Sequence, residues 1–198
     1  MPSPPFCTRY ERCMKKFRVF PWMIAGIIAV SLVSRLDGRQ QPKASGPQVE
    51  AAYLYNFGRF VTWPATLSAG QFGICILGED PFGAVLDSTV SGETIDGKQI
   101  VTVRISNVQG AQNCRILFIS PSEDKRLKQI LAALDKSSIL TVSDMPEFVQ
   151  RGGMIQFVLA ANKVRFEVNL ATAEEARLQL SSELLKVAAA VKRVPSGT

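Results

Sequence analysis

The sequence predicts an α/β domain: a single mixed sheet of about five to six strands, with a parallel centre and a C-terminal antiparallel hairpin, flanked by helices. Three observations predict it. Phe72–Leu77, Ile116–Ile119 and Ile139–Val142 are short unbroken apolar runs, the pattern of central strands covered on both faces. Ile100–Ile105 and Val164–Val168 alternate instead, with Thr102 and Arg104 or Arg165 and Glu167 on the second side. Between these runs lie stretches of helical spacing at 51–64, 82–90, 124–134 and beyond Thr172, and no internal repeat is visible.

The elements follow in chain order. Residues 1–34 read as a signal peptide. Arg9, Arg12, Lys15, Lys16 and Arg18 make a basic start, and Val19–Val33 is apolar or small throughout, with Ser31 its one hydroxyl. Fifteen residues are short for a membrane span, which needs about 20. Ala29-Val30-Ser31 and Ser31-Leu32-Val33 are poorly marked cleavage sites, so an uncleaved anchor is the alternative. No Cys closely follows the run, which argues against a lipid-modified N-terminus. Residues 35–48 have linker composition, and the α/β domain is expected over 49–194.

Charge points the same way. The chain is +6, but residues 1–34 hold five Lys/Arg and one Glu, which leaves 18 positive and 16 negative charges, or +2. Most of the basic excess is therefore targeting charge. No Lys/Arg stripe with interleaved aromatics argues for nucleic acid.

Ala51–Pro64 (A-A-Y-L-Y-N-F-G-R-F-V-T-W-P) carries five aromatics. At 100° per residue, Tyr53, Leu54, Phe57, Phe60 and Val61 fall within an arc of about 120°, a core-facing stripe. Tyr55 and Trp63 lie outside it. They are either boundary aromatics or anchors for a partner, since both residue types are enriched at interfaces.

Asp80-Pro81 is a cap followed by a first-turn proline, opening a helix over Phe82–Val90. Asp124–Leu134 has helical spacing. Met154–Leu159 and Val164–Val168 form the hairpin, joined through Ala160–Lys163. A last helix opens on a capping box, Thr172 with Glu175, and presents two apolar faces: Leu178, Leu185 and Ala189, then Leu180, Leu184, Val187 and Val191. Its apolar surface of about 220° exceeds what a helix lying on one sheet needs, so something must cover the second face. The aromatic helix, a second copy of the chain or a partner would do so.

Two cysteines, Cys75 and Cys114, fall in the exported part, each beside a strand. Bridged, they close a loop of about 40 residues, which the chain-entropy model values at roughly 4 kcal/mol. Two buried free thiols are the alternative.

Catalytic readings fare badly. The chain contains no His, which removes Ser-His-Asp and Cys-His systems and histidine zinc sites. Gly78-Glu79-Asp80-Pro81-Phe82-Gly83 sits where a phosphate loop would lie, but it lacks the glycine spacing, and two acids there repel a phosphate. The pairs Glu79/Asp80, Glu123/Asp124 and Glu174/Glu175 each fall at an expected helix start, where the macrodipole favours acids. No Ca²⁺ loop spacing occurs, and neither a metal nor a cofactor is expected. Gly152-Gly153 reads as a turn into the hairpin, with room for a ligand close to the backbone.

Five blocks, A-A-Y-L-Y-N-F-G-R-F-V-T-W-P (51–64), I-C-I-L-G-E-D-P-F-G (74–83), L-T-V-S-D (140–144), G-G-M-I-Q-F (152–157) and R-F-E-V-N-L-A-T-A-E-E-A-R-L-Q-L-S-S-E-L-L-K-V-A (165–188), closely resemble the YfiR family of exported bacterial regulators. The resemblance spans roughly residues 50–190. It implies a secreted α/β protein that tends to dimerise. The best-known member represses YfiN, a membrane-bound diguanylate cyclase, by binding its periplasmic portion, and the outer-membrane protein YfiB sequesters that repressor. The resemblance supports a Cys75–Cys114 disulfide, because a family cysteine pair occupies these positions. Some members carry a second pair around the G-G-M-I block, where this chain has Val149, Arg151 and Gln156.

The function expected from all this is a periplasmic, non-enzymatic regulator. It would bind and repress a membrane diguanylate cyclase of the YfiN type and so lower cyclic di-GMP output, with Tyr55, Trp63, Leu180, Leu184, Val187 and Val191 as contact residues. A periplasmic small-molecule sensor or solute-binding module, with a pocket near Gly152 and Gly153, is the alternative.

Overall fold

Helix α1 spans Gly46–Phe60 in the computed structural model, which describes residues 46–64, 70–135 and 137–194. The signal segment 1–34 lies outside the described residues. The linker expected over 35–48 ends inside α1, with Pro47 in the first turn, where a missing N–H breaks no helical bond. Strand β1 (Val61–Thr62) follows, then β2 (Phe72–Leu77), α2 (Ala84–Val90), β3 (Thr94–Ile95), β4 (Lys98–Ile105) and a 3-10 turn, Val108–Asn113. Next come β5 (Cys114–Ile119), a second 3-10 turn Pro121–Arg126, α3 (Leu127–Ala133), β6 (Leu140–Ser143), β7 (Ile155–Ala160) and β8 (Lys163–Asn169). Helix α4 (Leu170–Glu175), β9 (Gln179–Leu180), α5 (Ser182–Val187) and β10 (Ala190–Lys192) complete the described chain.

Among the described residues the main sheet has eight strands, in the order β10-β8-β7-β6-β5-β2-β4-β3. Strands β4, β2, β5, β6 and β7 run parallel, and β7 and β8 are antiparallel. The parallel centre and the hairpin are as the sequence predicts. Ala161 and Asn162 turn that hairpin with φ of 49° and 58°, the primed geometry that suits the strand twist. The strand number exceeds the expected five to six because β3 and β10, two and three residues long, are too short to show a period. Expected as an edge, β4 has only the short β3 beyond it.

Helices cover both faces. On one, α1 and α2 pack over Ile74, Ile76, Ile116, Phe118, Leu140, Val142, Ile155 and Phe157. On the other, α3 and the loop at Phe148 cover Cys75, Leu77, Leu117 and Ile119. Every residue of β2 and β5 is buried, which is why both read as unbroken apolar runs. The stripe on α1 is core in Leu54, Phe57 and, just beyond its end, Val61. Phe57 meets Phe157 at 5.9 Å and Phe166 edge-on at 5.1 Å, and Tyr53 meets Phe166 at 5.3 Å. These rings tie the N-terminal helix to the C-terminal hairpin, at about 0.5–1.5 kcal/mol per pair beyond the area they bury. Phe60 is a correction: it is 37% exposed, because the helix ends there and the chain turns into β1.

The long C-terminal helix does not form. The segment breaks into α4, β9, α5 and β10. Arg177 takes a left-handed φ of 62° and ends α4, Leu178 enters the core, and Ser181 restarts a helix by accepting from the Leu184 N–H at 3.2 Å. The capping box is absent too: Asn169 stands at the N-cap position of α4, and Thr172 lies inside the helix. Asn169 is fully buried, and its amide bonds the carbonyls of Val149 and Val194 and the N–H of Val194. Good intrinsic propensity yields here to burial, with Leu178 and Leu184 both entering the core from either side of the break.

Candidate functional site

Cys75 on β2 and Cys114 at the start of β5 form a disulfide with Cα atoms 5.8 Å apart. The strands are neighbours, so parallel pairing delivers the two side chains to one spot, and both residues are buried. The bridge fastens the sheet centre from the face that α3 covers.

The strand order reverses between β2 and β5, so an α/β ligand crevice would open beyond their C-terminal ends. This place is filled. Gly78 has φ +91°, and a Cβ there would lie 2.4 Å from Ser122 Oγ and 2.9 Å from Glu123 Cγ. Ser122 Oγ accepts from the Glu79 N–H at 3.0 Å and lies 3.2 Å from Ser120 Oγ. The Glu79 N–H, where a phosphate loop would offer its amides, is thus satisfied by the turn that follows β5.

The paired acids have separate structural tasks. Asp80 accepts from the Phe82 N–H at 2.8 Å and from Arg104 Nε at 2.9 Å, and Arg104 Nη1 reaches Asp87 at 2.6 Å, which pins α2 to β4. Glu123 is buried and paired with Arg126, and Asp124 binds Arg151. Glu174 and Glu175 correct the expectation, for they close α4 rather than open it, and Glu174 meets Arg193 at 2.8 Å.

Gly152 lies on a cleft of about 420 Å³ between the end of α3, the starts of β6 and β7, and α4. Lys128, Asp135, Ser137, Thr141 and Thr172 also line it. The hydroxyl of Thr172 is buried without a hydrogen-bond partner among the described residues. Gly153 is outside this lining. A Cβ there would meet the Phe148 ring at 2.1 Å, so this glycine serves close packing.

Of the contact residues expected from the sequence, Leu180, Leu184, Val187 and Val191 do not share the one helix face assigned to them. Tyr55 donates to Glu93 at 2.8 Å, a bond that raises its pKa, so its hydroxyl sits near the β3 edge of the sheet. Trp63 stands edge-on to Phe72 at 5.2 Å, and its indole N–H finds no acceptor among the described residues. Leu180 joins that region because β1 and β9 pair, with Val61 opposite Leu180. Leu184 is core, at 4% exposure. Val187 and Val191 are 55% and 45% exposed at the opposite edge. The common face disappears because the helix that would have carried it is broken.

Three ionisable groups have no motif to announce them. Glu50 on α1 has its pKa pushed up to about 7, first by burial and then by the Asp144 carboxylate beyond β6. Burial likewise raises Asp144. Arg115 sits on a fully buried strand, and burial lowers its pKa. A charged residue inside an apolar run was the available signal for it.

Among the described residues no helix is long and apolar enough to cross a membrane. No curated protein matches the chain. A family model described as YfiR/HmsC-like matches residues 47–189, which takes in nearly all of the described domain, including α1, the disulfide and the hairpin. The chain belongs to the YfiR/HmsC-like family.

Proposed function

We propose that this protein is a periplasmic, non-catalytic regulator that binds the exported part of a membrane diguanylate cyclase of the YfiN type and holds it in its low-output state. The observation that carries the reading is the continuous family match over 47–189. The Cys75–Cys114 disulfide suits an oxidising compartment. A binder represses only by preferring the inactive state of its target. Contacts are assigned to two places: Trp63 with Leu180, beside the β1–β9 ladder, and the exposed Val187 and Val191 at the β10 edge. Tyr55 is a third contact, available once it leaves Glu93. Leu184 acts from the core by holding α5 in place. An outer-membrane YfiB-like protein would relieve repression by competing for the same surface, and a homodimer is the expected free form.

The test is deletion and complementation in the source cell. Loss of the protein should raise cyclic di-GMP, and Val187→Asp with Val191→Asp, both exposed, should fail to restore it while remaining folded. Unchanged cyclic di-GMP on deletion sinks the reading. A second reading, a small-molecule sensor, is favoured by the Gly152 cleft and its unpartnered Thr172 hydroxyl. Saturable thermal stabilisation in a metabolite screen, abolished by Thr172→Val, would support it.

A further inference from the structure

The lining of the Gly152 cleft sorts by burial. Its floor is apolar, since Leu134, Ile139, Met154 and Ala176 are buried there and Leu131 is half-buried on the α3 side. Two hydroxyls stand among them. Thr141 pairs with Leu117 and so lies on the sheet face that α3 covers. Its Oγ1 accepts from the Met154 N–H at 3.1 Å, which leaves its own hydrogen to donate. The Thr172 hydroxyl, inside α4, is buried without a partner among the described residues. The lining residues that ionise, Lys128, Asp135, Arg151 and Glu175, are all exposed, two of each sign. Arg151 is already held by Asp124 at 2.5 Å. Charge therefore stands on the solvent side and balances, while the floor offers hydrocarbon and hydroxyl donors.

We propose that this cleft binds a small uncharged amphiphile, an aliphatic amide or lactone, with its carbonyl oxygen on the Thr172 and Thr141 hydroxyls and its hydrocarbon chain on Leu131, Ile139 and Met154. The inference rests on the sensor reading of this site and adds the class of ligand to it. A carboxylate or an ammonium seated on this floor loses its water with no buried opposite charge among the described lining residues, which costs far more than burying a carbonyl that keeps its hydrogen bonds. A carbonyl oxygen has two lone pairs and takes both donors. The volume of about 420 Å³ lies within the range of small-ligand pockets.

Calorimetric titration of the full chain with hexanamide, hexanoate and hexylamine tests this, because the three share a chain and differ in the charge of the head. Saturable binding of hexanamide, at least about tenfold tighter than either charged analogue, is the expected result. Thr172→Val should weaken hexanamide about fivefold, the loss of one hydrogen bond, and Lys128→Gln should leave its affinity within about twofold. The three-ligand series on the unaltered chain decides the matter even where Thr172→Val fails to fold. Hexanoate or hexylamine binding as tightly as hexanamide, or a large loss in Lys128→Gln, would overturn the uncharged ligand and leave the sensor reading standing. No saturable binding of hexanamide would overturn the proposal as well, and the sensor reading falls with it only where the metabolite screen is also silent.

Discussion

Replacing Glu50 with Gln should make this protein more stable at alkaline pH and leave it unchanged in acid. The Glu50 carboxyl titrates near 7 in the folded chain, against an ordinary value of 4.5, because burial and Asp144 both disfavour its charge. Below 4.5 the folded and unfolded chains both hold the proton. Between 4.5 and about 7 the unfolded chain releases it while the folded chain keeps it, so stability falls as pH rises through this window and then levels off. At 1.36 kcal/mol per unit the full shift is about 3 kcal/mol, and solvent screening of a half-buried group reduces this to ~1–2 kcal/mol. Asp144 is raised by burial and acts with the same sign. Urea and thermal unfolding of both proteins at pH 4, 6 and 8 should give coincident curves at pH 4 and a gain of ~2–8 °C for Glu50→Gln at pH 8. An offset of equal size at all three values, or no gain at pH 8, would refute the burial argument.

The remaining predictions concern the centre and the margins. Removing the disulfide by Cys75→Ala with Cys114→Ala should lower stability by about 4 kcal/mol in urea, since the loop it closes spans 39 positions; an unchanged midpoint would contradict this. Gly153→Ala should cost about 1–3 kcal/mol in the same assay, because its methyl would collide with Phe148. Leu184→Ala should cost about 2–5 kcal/mol and Val187→Ala within about 0.5, so equal losses would deny the broken helix.

How legible the molecule was depended on whether a segment is buried on one side, on both, or discontinuously. The runs at 72–77 and 116–119 are legible as central strands because both of their faces are covered. The hairpin was legible from the alternation of Val164, Phe166 and Val168. The segment after Asn169 misled because Leu, Ala, Glu and Lys favour helix locally, while a single left-handed residue, Arg177, redirects the chain. With the continuous helix goes the shared face of Leu180, Leu184, Val187 and Val191. Leu184 proved to be core, and Leu180 belongs with Val61 across a two-stranded ladder. Glu50 and Arg115 escaped notice since a pKa shift and a bulge arise from neighbours distant in sequence, Asp144 and the Gly73–Ile74 register.

The sequence by itself determined the fold class and the family, because these rest on periodicity and on ordered blocks that any folded form of the chain must accommodate, whereas the cysteine pairing was implied only by the family resemblance. Tertiary structure alone decided which apolar side chains remain outside. A helical period assigns faces within one continuous element, and where the chain breaks at Arg177 the faces beyond it are set by the core that Leu178 and Leu184 enter.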